Sequence, residues 1–271
     1  MTIRPIFIFS ITRGGSTLVQ RVLAAHEGVA TVSEPWLLLP YLYTLREDGV
    51  VAEYTHWLTV RAFEDFCQKL PGGVDDYRQE LRVFVLRLYE HAGGDGARFF
   101  IDKSPPYYFI ADDIMRLFPD GKFIFLWRNP LSIVASIIDT WHGGKLHVTA
   151  NLEDLFVGLP RLVATYAGSS SVAHAVRFED LVDGQRESWE RLTSYLGIEF
   201  DPAALERFTM SRWTDGWVIA PGARGIQSSV QTRLPNGARP SAIPSAESGA
   251  ADTCGSSAPI GCASWATTNS G

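Results

Sequence analysis

The chain is poor in cysteine, poor in positive charge and without any long apolar run. Its three cysteines, Cys67, Cys254 and Cys262, form neither a disulfide framework nor a metal-ligand spacing. A reduced, intracellular protein without a metal is expected. The formal net charge of −6 counts against a general nucleic-acid binder, whose affinity rests on a basic face. It leaves room for a polyanion gripped by a few local arginines. No apolar stretch approaches the ~18–20 residues of a membrane span. The first apolar run follows Met1 by about five residues, too few for a leader or anchor, so a cytoplasmic location is expected. With 46% hydrophobic and 20% charged residues, the chain has the composition of a globular domain with a substantial core.

A further absence is more informative. "IFIFSITRGGSTLVQRVLAAHEG", residues 7–29, lays out an apolar strand, a loop of small and hydroxylated residues, and a helix. That order suits a phosphate cradle, in which loop N–H groups and the helix N-terminus converge on an anion. Yet the Gly-Lys-Ser/Thr of an ATP-binding loop is missing. In its place stand Thr12, Arg13, Gly14, Gly15, Ser16 and Thr17. The glycines admit close backbone approach, the hydroxyls add donors, and Arg13 supplies a full charge. An ordinary strand–helix turn would need the same glycines.

Strand-like runs recur at 29–33, 98–102, 122–127 and 172–178. Helical periodicity separates them near 107–118, 131–142, 151–167 and 180–196. The alternation predicts an α/β fold with a central parallel sheet and helices on both faces. Residues 37–97 read as a mainly helical insertion on the acceptor side, within a domain spanning 1–220. In "KFIFLWRNPLSIVASII", Arg128 follows a buried strand at its carboxyl end, where ligands of such sheets bind. Asn129-Pro130 opens the next helix, and Ser136 lies eight residues beyond Arg128. An Arg fork with a Ser hydroxyl suits a phosphate.

Together these two elements resemble the sulfotransferases that use 3′-phosphoadenosine 5′-phosphosulfate (PAPS), in the branch with tyrosylprotein and many bacterial sulfotransferases. The resemblance covers residues 5 to about 215. It implies a three-layer, P-loop nucleotide-kinase-like domain and transfer of a sulfuryl group to an acceptor hydroxyl. The first loop corresponds to the family's 5′-phosphosulfate loop, commonly PRSGTT and here TRGGST, and the Arg128/Ser136 pair to its 3′-phosphate motif. The family's base, a Glu about twenty residues after the loop, falls on Glu34 of "VATVSEPW". Its Lys at the leaving oxygen falls on Lys103 of "FIDKSPPYYF". Thr12 and Gly14 depart from the usual Pro and Ser. The implied acceptor is a small-molecule, glycan or lipid hydroxyl in a bacterial cytosol, with no nucleic acid. The alternatives are a small-molecule or nucleotide kinase on a related fold, or a nucleotide-binding relative without activity.

Other residues read as structural. His26 reads as a capping or packing histidine. Arg177 of "VRFEDLV" reads either as a site residue or as an ion-pair partner of Glu179 or Asp180. Trp36, Tyr41, Tyr43, Tyr54 and Trp57 read mostly as core. From residue 221 to 271 periodicity vanishes and Gly, Ala, Ser and Pro dominate, as in a disordered tail. Three windows of this tail become basic, aromatic and helix-like if the codons are read one frame over. A frameshift in the coding sequence is therefore expected, and genomic DNA read in both frames checks it.

Overall fold

The computed structural model describes residues 3–141, 152–183 and 186–205; the tail reading from 221 onward lies outside them. Five strands form one parallel sheet: β1 (Arg4–Phe9), β2 (Val29–Thr31), β3 (Phe99–Asp102), β4 (Lys122–Trp127) and β5 (Ala173–Arg177), in the order β2-β3-β1-β4-β5. β1 pairs with β3 on one side and β4 on the other, and the register sets Phe7 against Asp102, Phe9 against Phe125, and Trp127 against Arg177. All carboxyl ends therefore open on one edge. The chain leaves β1 toward β2 and returns past β1 to β4, so the crevice beside β1 is the topological switch point of an open α/β sheet.

Alternation along β1 sorts the core into two clusters. Ile6 and Ile8 join Ile101 and Ile124 beneath α1 (Ser16–Ala24) and α9 (Arg186–Leu196). On the opposite face Phe7 and Phe9 join Phe100, Phe123 and Phe125. Phe9 and Phe123 lie nearly parallel, with centroids 6.2 Å apart. That aromatic face is covered by α4 (Val74–Gly93), α5 (Ala111–Leu117), α6 (Pro130–Trp141) and α7 (Leu159–Ser169). Two apolar layers against one sheet make the expected three-layer fold.

The segment between β2 and β3 is helical, as expected, but broken into α2 (Leu38–Tyr43), α3 (His56–Cys67) and α4. The expected helix at 107–118 divides into a 3₁₀ turn, Pro105–Phe109, and α5. The one at 180–196 divides into α8 (Phe178–Val182) and α9. Residues 154–158 form a π turn ahead of α7. The "mostly core" reading of the insertion's aromatics needs correction. Trp36, Tyr54 and Trp57 are 48%, 60% and 50% exposed, whereas Tyr41 and Tyr43 pack partly buried against the core. Among the described residues no helix is long and apolar enough to cross a membrane.

Candidate active site

The loop after β1 begins as a tight turn, closed by the Gly14 N–H donating to the Ile11 carbonyl at 3.0 Å. Its third residue, Arg13, has φ +62°, a left-handed conformation costing a non-glycine residue about 1–2 kcal/mol. Gly15 follows at φ +94°. A Cβ there would lie 2.1 Å from Phe178 Cδ2, so both backbone angle and space demand glycine. A Cβ on Gly14 would lie 2.9 Å from the Ile11 carbonyl oxygen. That tightness accounts for glycine at this departure from the PRSGTT pattern. α1 starts immediately at Ser16 with no side-chain cap, and its first N–H groups lack intrahelical acceptors.

The second element lies directly against the first. Asn129 caps α6, its Oδ1 accepting the Leu131 N–H at 2.9 Å. Arg128 Nη1 donates to the Arg13 carbonyl at 2.8 Å, and Arg13 Nε donates to Ser136 Oγ at 3.0 Å. Arg13, Arg128 and Ser136, 123 residues apart at the extremes, thus form one cluster beside Gly14 and Gly15. The Arg128 guanidinium stacks 4.5 Å from the centroid of Phe178, the same ring that closes over Gly15. Arg128 Nε is buried with no acceptor among the described residues.

Across β1 lies a third group. Lys103 leaves the end of β3 almost wholly buried, and its Nζ donates to Glu34 Oε1 at 2.6 Å. Glu34 sits three residues past the end of β2. Its approach is stapled to α1 by Gln20, whose Nε2 is 2.8 Å from Thr31 Oγ1 and 2.7 Å from the Val32 carbonyl. Under Lys103 lies a carboxylate that sequence reading missed. Asp102 is fully buried and accepts Tyr89 Oη–H at 2.5 Å and Tyr107 Oη–H at 3.0 Å, with Ser104 Oγ 3.5 Å away. Burial pushes its carboxyl up to about 7, against the hydroxyl donors of Tyr89, Tyr107 and Ser104 and the charge of Lys103, which pull it down. The acid was visible as the one polar residue of strand "FFID". Its partners come from α4 and the 3₁₀ turn, which no local pattern brings together.

This predicts a pH signature. An Asp raised from an unfolded value near 3.9 binds its proton in the folded chain and not in the unfolded one between the two values. Its contribution to stability is full below about pH 4 and is lost as pH rises through about 7. Asp102→Asn should therefore flatten the decline of stability over that window by about 2–4 kcal/mol. Urea midpoints at pH 5 and pH 8 for the two chains check it; parallel declines would contradict it.

His26 is structural, as expected. It is buried with Nδ1 3.0 Å from the Val22 carbonyl, and its Nε2 accepts the Asp201 N–H at 3.3 Å. Arg177 acts on Glu179 through charge attraction without a direct salt bridge. Glu179 Oε1 instead accepts the Asn129 N–H at 2.8 Å, tying the loops after β4 and β5 together.

A glycine-bearing loop after the first strand of a parallel sheet thus stands beside clustered arginines and a part-buried Lys–Glu pair. The chain belongs to the sulfotransferase family, whose model matches residues 5–202. It is 29% identical over 222 residues to nodulation protein NoeE of Sinorhizobium fredii, an alignment covering 73% of this chain and 51% of that protein. The chain thus spans about half the length of this relative. Among solved structures, the sulfotransferase domain from the curacin biosynthetic pathway superposes with a TM-score of 0.52 at 23% identity, covering 80% of this chain and 81% of that domain. That likeness supports the P-loop NTPase-like fold.

Proposed function

We propose that the protein moves a sulfuryl group from PAPS to an acceptor hydroxyl by in-line displacement. The observation that carries this is the 2.6 Å Lys103–Glu34 pair set across β1 from the Arg13–Arg128–Ser136 cluster. In the proposed reaction the charge pair serves the chemistry and the cluster takes a bisphosphate nucleotide. The cradle fits such a donor. Gly14 and Gly15 allow the tight turn that brings the loop N–H groups together, and Arg128 retains an unused buried donor at Nε.

In this reading the loop Arg13–Thr17 holds the 5′-phosphosulfate, and Arg128 and Ser136 hold the 3′-phosphate. The donor supplies an activated sulfuryl group on a phosphate leaving oxygen. Glu34 takes the proton from the acceptor hydroxyl as its oxygen bonds to sulfur. Lys103, with Arg13 and the loop N–H groups, holds the negative charge left on the former bridging oxygen as the sulfur–oxygen bond breaks. The ion pair couples the two ends. Once Glu34 is protonated, the Lys103 charge loses its partner and becomes fully available as the leaving oxygen acquires charge.

Arg128→Ala tests the nucleotide half. It should weaken binding of 3′-phosphoadenosine 5′-phosphate (PAP) by about 1.5–3 kcal/mol, the range of a hydrogen bond to a charged group. Binding of 5′-AMP, which lacks the 3′-phosphate, should hardly change. Equal losses for both nucleotides by calorimetry would remove the 3′-phosphate assignment.

A further inference from the structure

Trp36 holds a backbone conformation that tryptophan rarely adopts, φ +52°, and presents an indole 48% exposed. Neither burial nor local geometry favours a large aromatic there. Its position is nonetheless closely fixed. The Trp36 N–H donates to Ser104 Oγ at 3.0 Å, and two residues on the Leu38 N–H donates to Tyr107 Oη at 3.2 Å. Both hydroxyls rest against Asp102, so the buried cluster beneath Lys103 imposes the strain. Such outliers persist where the surroundings over-determine them, and they concentrate at ligand sites.

The indole is aimed at the reacting group. Its Nε1–H lies 3.4 Å from Glu34 Oε2, while Glu34 Oε1 takes the Lys103 ammonium. An indole N–H points within the ring plane, so the carboxylate stands at the edge of the plate. Among the described residues no aromatic ring stacks on the indole and no cation lies over it. A flat ligand seated on the indole, about 3.5–4.0 Å away, would carry its in-plane substituents above that same edge, beside the carboxylate. A hydroxyl on a six-membered ring is such a substituent. A flexible alkyl chain offers no matching face.

We propose that Trp36 is the acceptor platform, and that the acceptor hydroxyl is carried on a six-membered ring, as in a pyranoside, a cyclohexanol or a phenol. The inference rests on Glu34 acting as the base. Asp102, Ser104 and Tyr107 are positioning residues that hold the platform in its strained place.

The test uses the full chain saturated with PAP and titrated by ligand-observed NMR with methyl β-D-glucopyranoside, cyclohexanol, phenol and, as the open-chain comparison, 1-hexanol. The wild type should bind at least one ring alcohol saturably and more tightly than 1-hexanol. Trp36→Ala should weaken that binding about 3–10-fold, the worth of one aromatic stack, with Trp36→Phe restoring most of it and PAP affinity unchanged. Failure of every ring alcohol to bind the wild type overturns the proposal, as do unchanged binding in Trp36→Ala and a Trp36-dependent preference for 1-hexanol. A matching loss of PAP affinity in Trp36→Ala also overturns it, by placing Trp36 in the nucleotide site. PAP binding by the wild type is read separately, and its absence would contradict the sulfuryl-transfer reading itself.

Discussion

Replacing Glu34 by Gln should lower turnover with an alcohol acceptor by about 10²–10⁴-fold, the usual worth of a general base, and leave PAP affinity nearly unchanged. The size of the loss should depend on the acceptor. An alcohol gives up its proton only in the transition state and needs the carboxylate at that moment. 4-Nitrophenol, far more acidic and already substantially ionised near neutral pH, needs it far less, so Glu34→Gln should slow the phenol less than cyclohexanol. Steady-state release of PAP from PAPS with each acceptor checks this. Equal losses for both would assign Glu34 to positioning and remove it as the base. The variant also leaves the Lys103 ammonium, only 3% exposed, without its anion. A fall in stability of up to about 3 kcal/mol should accompany the change. Unchanged PAP affinity shows that the fold survives.

Lys103→Met should produce the second large effect, about 10²–10³-fold in kcat, as for loss of one preorganised donor at a developing oxyanion. Its pattern should differ from that of Glu34→Gln. Lys103 acts on the leaving oxygen, which is the same whatever the acceptor, so cyclohexanol and 4-nitrophenol should slow alike. Unequal losses would place Lys103 on the acceptor side. The Met side chain fills the buried path of the Lys stem, and Glu34, with a quarter of its side chain exposed, can turn to water. Stability should therefore fall less than for Glu34→Gln.

The parts of this site that could be read in the sequence share one property: local signals mark them. β1 and β4 are short apolar runs, and the loop between β1 and α1 declares itself through Gly14 and Gly15. Glu34, Lys103 and Arg128 were found because each follows a strand, and a parallel sheet gathers the carboxyl ends of its strands. Their contacts confirm that gathering, since Lys103 meets Glu34 and Arg128 meets Arg13. The parts that were missed depend on side chains meeting from distant elements. Phe178 follows β5 and covers Gly15 only because the register sets Arg177 beside Trp127. Asp102 acquires its partners from Tyr89 on α4 and Tyr107 beyond Lys103. Trp36 reads as core because large aromatics usually are, yet its indole is 48% exposed and its backbone N–H is held by Ser104 from beyond β3. Glu179 feels the charge of Arg177 as its sequence neighbourhood suggests, but its direct contact is the Asn129 N–H, which local sequence does not announce.

On the proposed function the cradle after β1 holds a 3′,5′-bisphosphate nucleotide and not ATP. Calorimetric titration of the full chain with PAP, and in parallel with ATP and Mg²⁺, tests it most directly. Saturable binding of PAP and none of ATP is expected, because the loop offers Arg13 in place of a P-loop lysine and Arg128 with Ser136 suits the 3′-phosphate. Preference for ATP, or binding of neither nucleotide, would contradict it.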